Sequence, residues 1–366
     1  MQKIAGKISP EVLSAFGIDR QQVSLHPLGE GNINYTYLVR DQKRQFVLQK
    51  INSSVFPDLP LVAQNFLSVT RHIATRASAA GIDFQCPQLI PTKDNELSFL
   101  DSHGGFWRAQ TFIEHIQLGG IAVTTTLGSQ LGRILGEFHL LTDDLNVDEV
   151  PVSIPGFHNT PSYLSELDTA MCCTQNRADT DDCLLHTCLE IVERYRAGAG
   201  VLEDMKNSGS LKPRIIHGDP KLDNMIISVQ GKAVGMFDLD TVGAGLIHYD
   251  IGDCLRSLCN RAGENIHTEA DVRFDINICE AVLGGYFESV GDRLRHDEVS
   301  VIYDSIRIIS LELGVRFLTD HLNGDLYFKV DQRGDNLRKA NIQLRLAESI
   351  VLQEKQIRAS IANLAS

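Results

Sequence analysis

Hydrophobic and polar residues follow different patterns in the first third of the chain and in the remainder. Residues 35–40 and 45–51 are short runs of β-forming residues separated by the turn-prone DQKR, which predicts a hairpin. Residues 97–113 predict two more strands around a turn at residues 102–105. Between these strand pairs, apolar residues at helical spacing predict a helix over residues 58–80. The first part of the chain is therefore predicted to be β-rich.

After residue 117 the spacing of apolar residues becomes helical. Residues 124–141 predict an amphipathic helix in which Gly128, Gly132 and Gly136 form a stripe that would let another element approach closely. A β-like island at residues 213–240 lies among the helices. The other predicted helices cover residues 161–174, 181–200, 276–290, 296–322 and 334–364.

These patterns predict an α+β chain of two lobes. A small β-rich lobe, residues 1–115, would be joined by a hinge near residues 112–117 to a larger, mostly helical lobe, residues 116–366. With 366 residues, of which 43% are hydrophobic, the chain is long enough for each lobe to have its own core.

Composition restricts the partners more than it restricts the fold. The net charge of −13 gives no electrostatic support for nucleic-acid binding. No signal peptide is recognised, and no apolar run approaches the roughly 18 residues that a membrane span needs. The eight cysteines show no C-x-x-C spacing, which favours reduced thiols. We therefore expect a cytoplasmic protein without nucleic-acid or membrane partners, and the oligomeric state stays open.

Polar residues crowd the β-like island directly after two apolar ones. His217, Asp219 and Asn224 have the spacing H-x-D-x4-N, and Asp238 follows after a segment of hairpin length. Phosphoryl transfer needs an aspartate that accepts the proton of the attacking hydroxyl. It also needs an amide oxygen and a carboxylate that hold Mg²⁺ between the nucleotide phosphates. The alternative is a charged surface loop that matches this short pattern by chance.

The pattern and its context favour a site for ATP and Mg²⁺. In this interpretation Asp219 is the catalytic base, Asn224 and Asp238 are the metal ligands, and His217 organises the loop. Asp240 either supports the metal ligands or caps the turn after the strand.

A glycine-containing segment, LGEGNINYTYLV, leads into the first strand of the predicted hairpin. Gly29 and Gly31 would let backbone N–H groups approach phosphate oxygens, so the segment through Asn32 is predicted to cover the nucleotide. G-x-G is a weak motif, because any hairpin turn could hold it. Its position at the start of a β-rich lobe is what indicates nucleotide binding.

Together, these motifs resemble a known superfamily. Residues 26–256 resemble the aminoglycoside/choline kinase superfamily, relatives of protein kinases that have HGD…N in place of HRD…N. Longer segments resemble bacterial N-acetylhexosamine 1-kinases: GEGNINYTYLV, FVLQKINSSVFPD, WRAQTFIEH, FDLDTVGAGLIHYDIGDCLR and LELGVRFLTDHLNGDLYF. The resemblance implies a bilobal protein-kinase-like (aminoglycoside phosphotransferase-like) fold. It also implies ATP-dependent phosphorylation of the anomeric C1 hydroxyl of an N-acetylhexosamine.

The same resemblance assigns further residues to the substrates. Adenine would meet three residues of the hinge: Phe112, Glu114 and His115. The sugar would be contacted from both lobes: Asn34, Asp219, Lys221 and Arg316. Asp250 would brace the catalytic loop. From the residues alone, Arg316 could instead form surface ion pairs with Glu312 and Asp320, four residues away on either side.

The chain also departs from its apparent relatives. Gln49 stands where kinase-like folds normally carry a lysine that pairs with a helix glutamate, and the following helix offers Gln64 and Asn65 instead. The neighbouring Lys50 should face the other side of the strand. Losing both members of an ion pair leaves neither charge unpaired, so Gln49 remains a candidate nucleotide contact in an active enzyme.

The sequence therefore predicts an ATP- and Mg²⁺-dependent sugar 1-kinase. Within the same superfamily the acceptor could instead be choline, homoserine or an aminoglycoside. A nucleotide-binding pseudokinase is the alternative from another class, and the missing lysine–glutamate pair is its best support. Trp107 and His139 are expected to be packed residues and not ligands.

Overall fold

The structure is a computed structural model that describes residues 8–19, 21–28, 33–41, 44–116, 122–174, 183–263 and 272–365. A short helix, α1 (Pro10–Ala15), precedes the β-rich part. Six strands form one antiparallel sheet: β1 (Ser24–Pro27), β2 (Tyr35–Arg40), β3 (Gln45–Ile51), β4 (Leu89–Ile90), β5 (Phe99–Leu100) and β6 (Phe106–Thr111). The strand order is β1-β2-β3-β6-β4, with β5 beside β6.

The β2–β3 hairpin has the bounds that the sequence predicts. Tyr35 pairs with Lys50 and Arg40 with Gln45, so the register is continuous from end to end. Strand β6 adds to the other side of β3, which places Arg108 opposite Gln49. Because directly paired residues of antiparallel strands share one face of the sheet, these two side chains are neighbours.

Helix α2 (Leu59–Ala80) begins and ends at strong local signals. The Asp58 carboxylate caps the first turn by accepting the Leu61 N–H at 3.0 Å, and Gly81 ends the helix at φ 67°. Its buried face, with Phe66 and Ile73, belongs to the same hydrophobic cluster as the core of the helical part. The helix therefore ties the sheet to the rest of the molecule.

The second part of the chain is mostly helical, as predicted. Its helices are α3 (Thr125–Thr142), α4 (Thr160–Thr174), α5 (Cys183–Tyr195), α6 (Val201–Asn207), α7 (Ile247–Leu258), α8 (Ile276–Val290), α9 (His296–Ser300), α10 (Ile302–Asn323), α11 (Asp335–Leu352) and α12 (Glu354–Leu364). Within the ranges given above, none of them combines the length and apolar content that crossing a membrane would require. The α+β class with a small β-rich part and a larger helical part is confirmed.

The prediction from hydrophobic periodicity missed several helices and strands, and it treated two pairs of helices as single helices. Helix α7 was not predicted, although Ile247, Ile251, Leu255 and Leu258 recur at helical spacing. All twelve of its residues are buried, including the polar Asp250 and Arg256. The helices predicted over residues 296–322 and 334–364 are each divided, at Val301 and Gln353. Short elements with little periodicity, such as α1, β1, β4 and α6, were also missed.

The glycine stripe of α3 packs against α8. A Cβ atom added at Gly132 would lie 1.8 Å from the backbone oxygen of Val282. On the opposing helix, one added at Gly285 would lie 1.9 Å from the Ser129 oxygen. The two backbones are therefore in direct contact, which confirms that the stripe allows close approach.

The β-like island forms two small antiparallel ladders: β7 (Arg214–Ile216) with β10 (Gly243–Gly245), and β8 (Met225–Ile227) with β9 (Ala233–Met236). Residues 217–224 connect β7 to β8, and residues 237–242 connect β9 to β10. Because Met225 pairs with Met236, the ends of these two connections are held side by side. All polar residues that the sequence singled out in the island lie on these two connections.

Candidate active site

Asp250, on the first turn of α7, holds the start of the loop that follows β7. Its carboxylate accepts the backbone N–H groups of His217 at 2.7 Å and Gly218 at 2.8 Å. His139 on α3 bonds the same carboxylate through Nε2 at 3.0 Å. Burial would raise the pKa of Asp250, but the bond to His139 and these neighbours hold it below its usual value. The carboxylate therefore stays ionised and fixes the loop backbone.

His217 connects this loop to the segment after β9. Its Nδ1 accepts the Asp219 N–H at 3.2 Å, and Nε2 lies 2.7 Å from the carbonyl oxygen of Phe237. Burial lowers the pKa of His217, so the ring is neutral, with Nδ1 as acceptor and the proton on Nε2. The two connections are thereby locked together next to Asp219 and Asp238.

Gly218 has a left-handed backbone conformation in close contact with the segment after β9. Its φ is +86°, and an added Cβ would lie 2.8 Å from the carbonyl oxygen of Thr241. Glycine adopts this conformation without strain, whereas most residues do not.

Asp219 is partly accessible, with 29% of its side chain exposed. Lys221 Nζ lies 2.6 Å from Oδ2, and Asn224 Nδ2 donates to the same oxygen at 2.9 Å. Asn224 Nδ2 also donates to the Asp219 carbonyl at 2.7 Å. These bonds orient the carboxylate while leaving it reachable from solvent.

Asn224 and Asp238 lie on the adjacent ends of β8 and β9. Phe237 donates its N–H to the Asn224 carbonyl at 2.7 Å, and Asp238 has left-handed backbone angles, φ 57° and ψ 57°. Burial, then the negative charges of Asp240 and Asp219, raise the pKa of Asp238 to about 7. A cation at this point would relieve that repulsion.

The donor set fits a hard divalent cation held jointly with a nucleotide. Because Asn224 uses its Nδ2 for Asp219, its amide oxygen is the atom left to bind a metal beside the Asp238 carboxylate. No group of three or more His, Cys, Asp or Glu side chains in the described ranges could hold a metal by itself. Mg²⁺ in phosphoryl-transfer sites typically takes one or two protein carboxylates and completes its shell with phosphates and water.

Asp240 is buried and faces the β-rich part. It accepts Asn34 Nδ2 at 2.7 Å and forms an ion pair with Arg108. Asn34 also accepts the Asn52 N–H at 3.0 Å, so its amide bridges the start of β2 and the segment after β9. The contacts of Asp240 thus lead to the β-rich part, and its support of the metal ligands stays a prediction.

Gln49 and Lys50 point to opposite sides of β3, as strand alternation predicts. Gln49 is buried; its Oε1 accepts Arg108 Nη2 at 2.8 Å, and its Nε2 donates to Thr36 at 3.2 Å. Lys50 Nζ lies 5.9 Å from the ring centre of the packed Trp107. Gln49 therefore lies on the Asp240 side of the sheet, and Lys50 does not.

The predicted hinge runs beside the ends of β8 and β9. The Ile116 N–H donates to the Ile227 carbonyl at 2.9 Å, and the His115 ring lies edge-on to Phe237, with ring centres 4.7 Å apart. Phe112 is half-buried, and Glu114 is exposed. Gly29, Gly31 and Asn32, which were predicted to cover the nucleotide, lie outside the described residues.

Arg316 on α10 is surrounded by aromatic rings. Four ring centres lie 5.1–5.7 Å from its guanidinium carbon: Phe157, Tyr163, Tyr327 and Phe328. Burial would lower the pKa of Arg316, but nearby groups, Tyr163 first and Asp219 among the others, raise it. Its charge is therefore permanent and lies within electrostatic range of Asp219.

The surface ion pairs suggested for Arg316 are absent from the described part of the chain. Glu312 is buried and bonds His158 and Thr160, at 3.0 and 2.7 Å. Asp320 caps the loop after α10 by accepting backbone N–H groups, including that of Tyr327 at 2.8 Å. Sequence spacing alone suggested these pairs, but the side chains of both acids point to other partners.

His158 supports the loop from the Arg316 side and was not identified from the sequence. Its Nε2 lies 2.9 Å from the Gly218 carbonyl and its Nδ1 3.0 Å from Glu312. Both ring nitrogens face acceptors, so both carry protons. Burial would lower the pKa of His158, but Glu312 raises it. Arg108 was also missed, although a charged residue inside an apolar strand is itself an unusual signal.

Residues 24–283 match the family described as "APH: Phosphotransferase enzyme family". This match covers most of the chain, and it includes the sheet, the loop around Asp219 and the segment around Asp238. The protein therefore belongs to the APH phosphotransferase family. It is a small-molecule kinase of this family.

Solved structures of kinases share the fold. An aminoglycoside phosphotransferase from Alicyclobacillus acidocaldarius matches with a TM-score of 0.64 at 15% identity, over 96% of this chain and 97% of that one. A microcompartment-associated aminopropanol kinase matches with a TM-score of 0.62 at 16% identity, over 95% and 97%. A choline kinase from Cryptosporidium parvum matches with a TM-score of 0.56 at 13% identity, over 95% of both chains. At these identities the likeness concerns the fold.

Proposed function

We propose that the protein is an ATP- and Mg²⁺-dependent kinase that phosphorylates the anomeric C1 hydroxyl of an N-acetylhexosamine or a related neutral sugar. The family supports the transfer of a phosphoryl group to a small molecule. The observation that carries the choice of acceptor is the Arg316 guanidinium, held among four aromatic rings within electrostatic range of Asp219.

Asp219 is proposed to act as the base. Its carboxylate accepts the proton of the acceptor hydroxyl while the hydroxyl oxygen bonds to the γ-phosphorus of ATP. The bond from that phosphorus to the β–γ bridging oxygen breaks, and ADP leaves. Lys221, 2.6 Å from Asp219, adds a positive charge at the substrate end of the site. Asn224 and Asp238 would hold Mg²⁺, which when bound neutralises phosphate charge.

A neutral acceptor fits the surroundings of Arg316 better than a cationic one. A choline site encloses a quaternary ammonium in aromatic faces. Here Arg316 already lies against the aromatic faces near Asp219, so a ligand cation would meet a positive charge. The same repulsion argues against an aminoglycoside or an amino alcohol. An acetyl carbonyl or sugar hydroxyl could instead accept N–H groups of the guanidinium.

The pseudokinase alternative depends on the missing lysine–glutamate pair. Gln49 and the buried Asn65 do stand in place of charged residues, and Asn65 donates to the Pro151 carbonyl at 2.7 Å. However, Asp219, Asn224 and Asp238 retain an arrangement suited to proton transfer and metal binding. Retention of these three groups supports an active enzyme.

The test is an ADP-release assay with Mg²⁺–ATP and a panel of acceptors. The panel contains N-acetylglucosamine, N-acetylgalactosamine, the parent hexoses, choline, homoserine and an aminoglycoside. We expect ADP release above the hydrolysis background with one or more N-acetylhexosamines and none with choline or the aminoglycoside. Turnover confined to a cationic acceptor would reject the proposed substrate. No turnover with any acceptor, together with normal nucleotide binding, would favour the pseudokinase.

A further inference from the structure

Arg108 is a buried cation that the proposed reaction does not use directly. It lies in the middle of β6, with only 1% of the residue exposed. Its guanidinium bonds Gln49 Oε1 through Nε at 3.1 Å and Nη2 at 2.8 Å, and it forms an ion pair with Asp240. The Phe66 ring of α2 lies 4.7 Å from its guanidinium carbon. One side chain thus contacts β3, α2 and the segment after Asp238.

These contacts occur at the place where the charged pair of kinase-like folds is missing. That pair normally joins the strand after the glycine loop to the following helix, and it must be in place for activity. Here the strand offers Gln49, and the helix offers the buried Asn65, followed by Phe66. Arg108 enters from the neighbouring strand on the same face as Gln49 and reaches Asp240.

Stability is a weak reason for this arrangement. A buried ion pair gains little over a well-packed apolar pair, because removing both charges from water is costly. The Nη1 group of Arg108 is also buried without a hydrogen-bond partner in the described part of the chain. What the pair does provide is a fixed geometry between the sheet and Asp240, two residues after the proposed metal ligand Asp238.

We propose that Arg108 is a positioning residue that replaces the missing lysine–glutamate pair: by joining Gln49 to Asp240, it aligns Asp238 with the nucleotide bound on the sheet. This inference rests on the proposed role of Asp238 in holding Mg²⁺. Asn34 bonds the other oxygen of Asp240 at 2.7 Å and reinforces the same connection.

The first test compares nucleotide binding with and without the metal. Arg108→Met removes the charge but keeps an unbranched side chain. The affinity for ADP, measured by calorimetry, should fall in the presence of Mg²⁺ and stay unchanged in EDTA. Because a misplacement of about 1 Å can cost about 100-fold in rate, kcat should fall by about that factor. Equal weakening of binding in Mg²⁺ and in EDTA, or no change in either, would overturn the proposal.

A double variant separates positioning from folding. Arg108→Met alone leaves Asp240 buried without its cation and should lower the melting temperature. Adding Asp240→Asn removes the unpaired charge, so the melting temperature should return towards the wild-type value while Mg²⁺-dependent ADP binding stays weak. If the double variant recovers both, the pair is only structural and the proposal fails.

Moving the positive side chain from β6 to β3 tests whether Mg²⁺-dependent binding can be restored. Gln49→Lys combined with Arg108→Gln returns a positive charge to β3 and should recover part of the Mg²⁺-dependent binding that Arg108→Gln alone loses. Arg194→Met is the control, because it removes a surface arginine paired with Glu348, with 58% of the arginine side chain exposed. Absence of any recovery, or an equal loss in the control, would contradict the assignment. None of these binding measurements needs an acceptor, so they remain decisive if no sugar is phosphorylated.

Discussion

The loop around Asp219 and the surroundings of Arg316 contribute to one site but are assembled in different ways. In the loop, Asp219, Lys221 and Asn224 lie within six residues of sequence and bond one another directly. The acceptor end brings together side chains from α4, α10 and two connecting segments. A short contiguous segment thus carries the groups for phosphoryl transfer, whereas the choice of acceptor depends on long-range packing.

His158 and Glu312 connect the two regions. Glu312 lies one turn before Arg316 on α10 and bonds Nδ1 of His158. Nε2 of the same ring bonds the Gly218 carbonyl, next to Asp219. We therefore expect that loss of the Asp219 carboxylate removes the reaction, that changes at Arg316 alter the acceptor preference, and that changes in helix packing away from both regions lower stability.

The largest effect is expected for Asp219→Asn, which removes the proposed base but keeps the shape of the side chain. General-base catalysis contributes about 10²–10⁴-fold, so kcat should fall by that factor while calorimetric ADP binding changes little. Asp223→Asn is the control, since Asp223 is an exposed acid of the same loop and should keep wild-type turnover. Unchanged turnover in Asp219→Asn would reject its role.

Arg316→Met should weaken the use of the sugar acceptor and leave nucleotide binding unchanged. Loss of charge-assisted hydrogen bonds to the sugar, worth about 1.5–3 kcal/mol, corresponds to a fall of about 10–100-fold in kcat/KM for the sugar. The KM for ATP should stay the same. Steady-state kinetics with each substrate varied in turn makes the measurement. A parallel rise in both KM values would show that Arg316 acts on the whole site and not on the acceptor end.

A substitution at the contact between α3 and α8 should lower stability without directly altering the Asp219 loop or the surroundings of Arg316. In Gly132→Ala, the new methyl group would overlap the Val282 carbonyl, and overpacking of this kind costs about 1–3 kcal/mol. Chemical denaturation should show that loss, with the acceptor preference unchanged. Gly128→Ala is the matched control, because its nearest neighbour would lie 3.4 Å away. Equal losses in both variants would contradict the packing argument.

The smallest effect concerns the pH dependence of stability through His158 and Glu312. The pKa of His158 is raised, so its contribution is fully present below the unfolded value of about 6.5 and is lost as pH rises through the folded value. The pKa of Glu312 is lowered, since the charge of His158 outweighs the opposing effect of burial. Its contribution is therefore present above the unfolded value and is lost as pH falls through the folded one.

The difference in unfolding free energy between wild type and Glu312→Gln should therefore be larger near pH 6 than near pH 9. Urea titrations at a series of pH values measure it. Glu348→Gln, which removes the half-buried acid paired with the exposed Arg194, should show no such trend over this range. A flat difference for Glu312→Gln would contradict the pairing.

Much of the fold could be predicted because its elements carry local signals. The hairpin at Tyr35–Ile51 and the capped helix after Asp58 have period, turn and cap in one stretch of sequence. Helix α7 was missed although its apolar residues, such as Ile247 and Ile251, recur at helical spacing. Spacing does not show that its polar residues, such as Asp250, are buried as well.

In the site too, residues with a local sequence pattern could be predicted, and residues defined by contacts between distant elements could not. His217, Asp219 and Asn224 were found because their spacing is local, and the resemblance to known kinases added Arg316. The surface pairing of Arg316 with Glu312 and Asp320 was wrong, because spacing along a helix does not show which partners lie across from it. Arg108 and His158 were missed, since their partners lie on elements far along the chain.

The most direct test of the account is the position of the phosphate in the product. Wild-type protein is incubated with Mg²⁺–ATP and an N-acetylhexosamine, and the product is analysed by ³¹P–¹H correlation NMR, with Asp219→Asn as the background. The account predicts a phosphorus coupled to the anomeric proton, formed by the wild type and not by the variant. A phosphate coupled to any other proton, or a product formed equally by the variant, would contradict it.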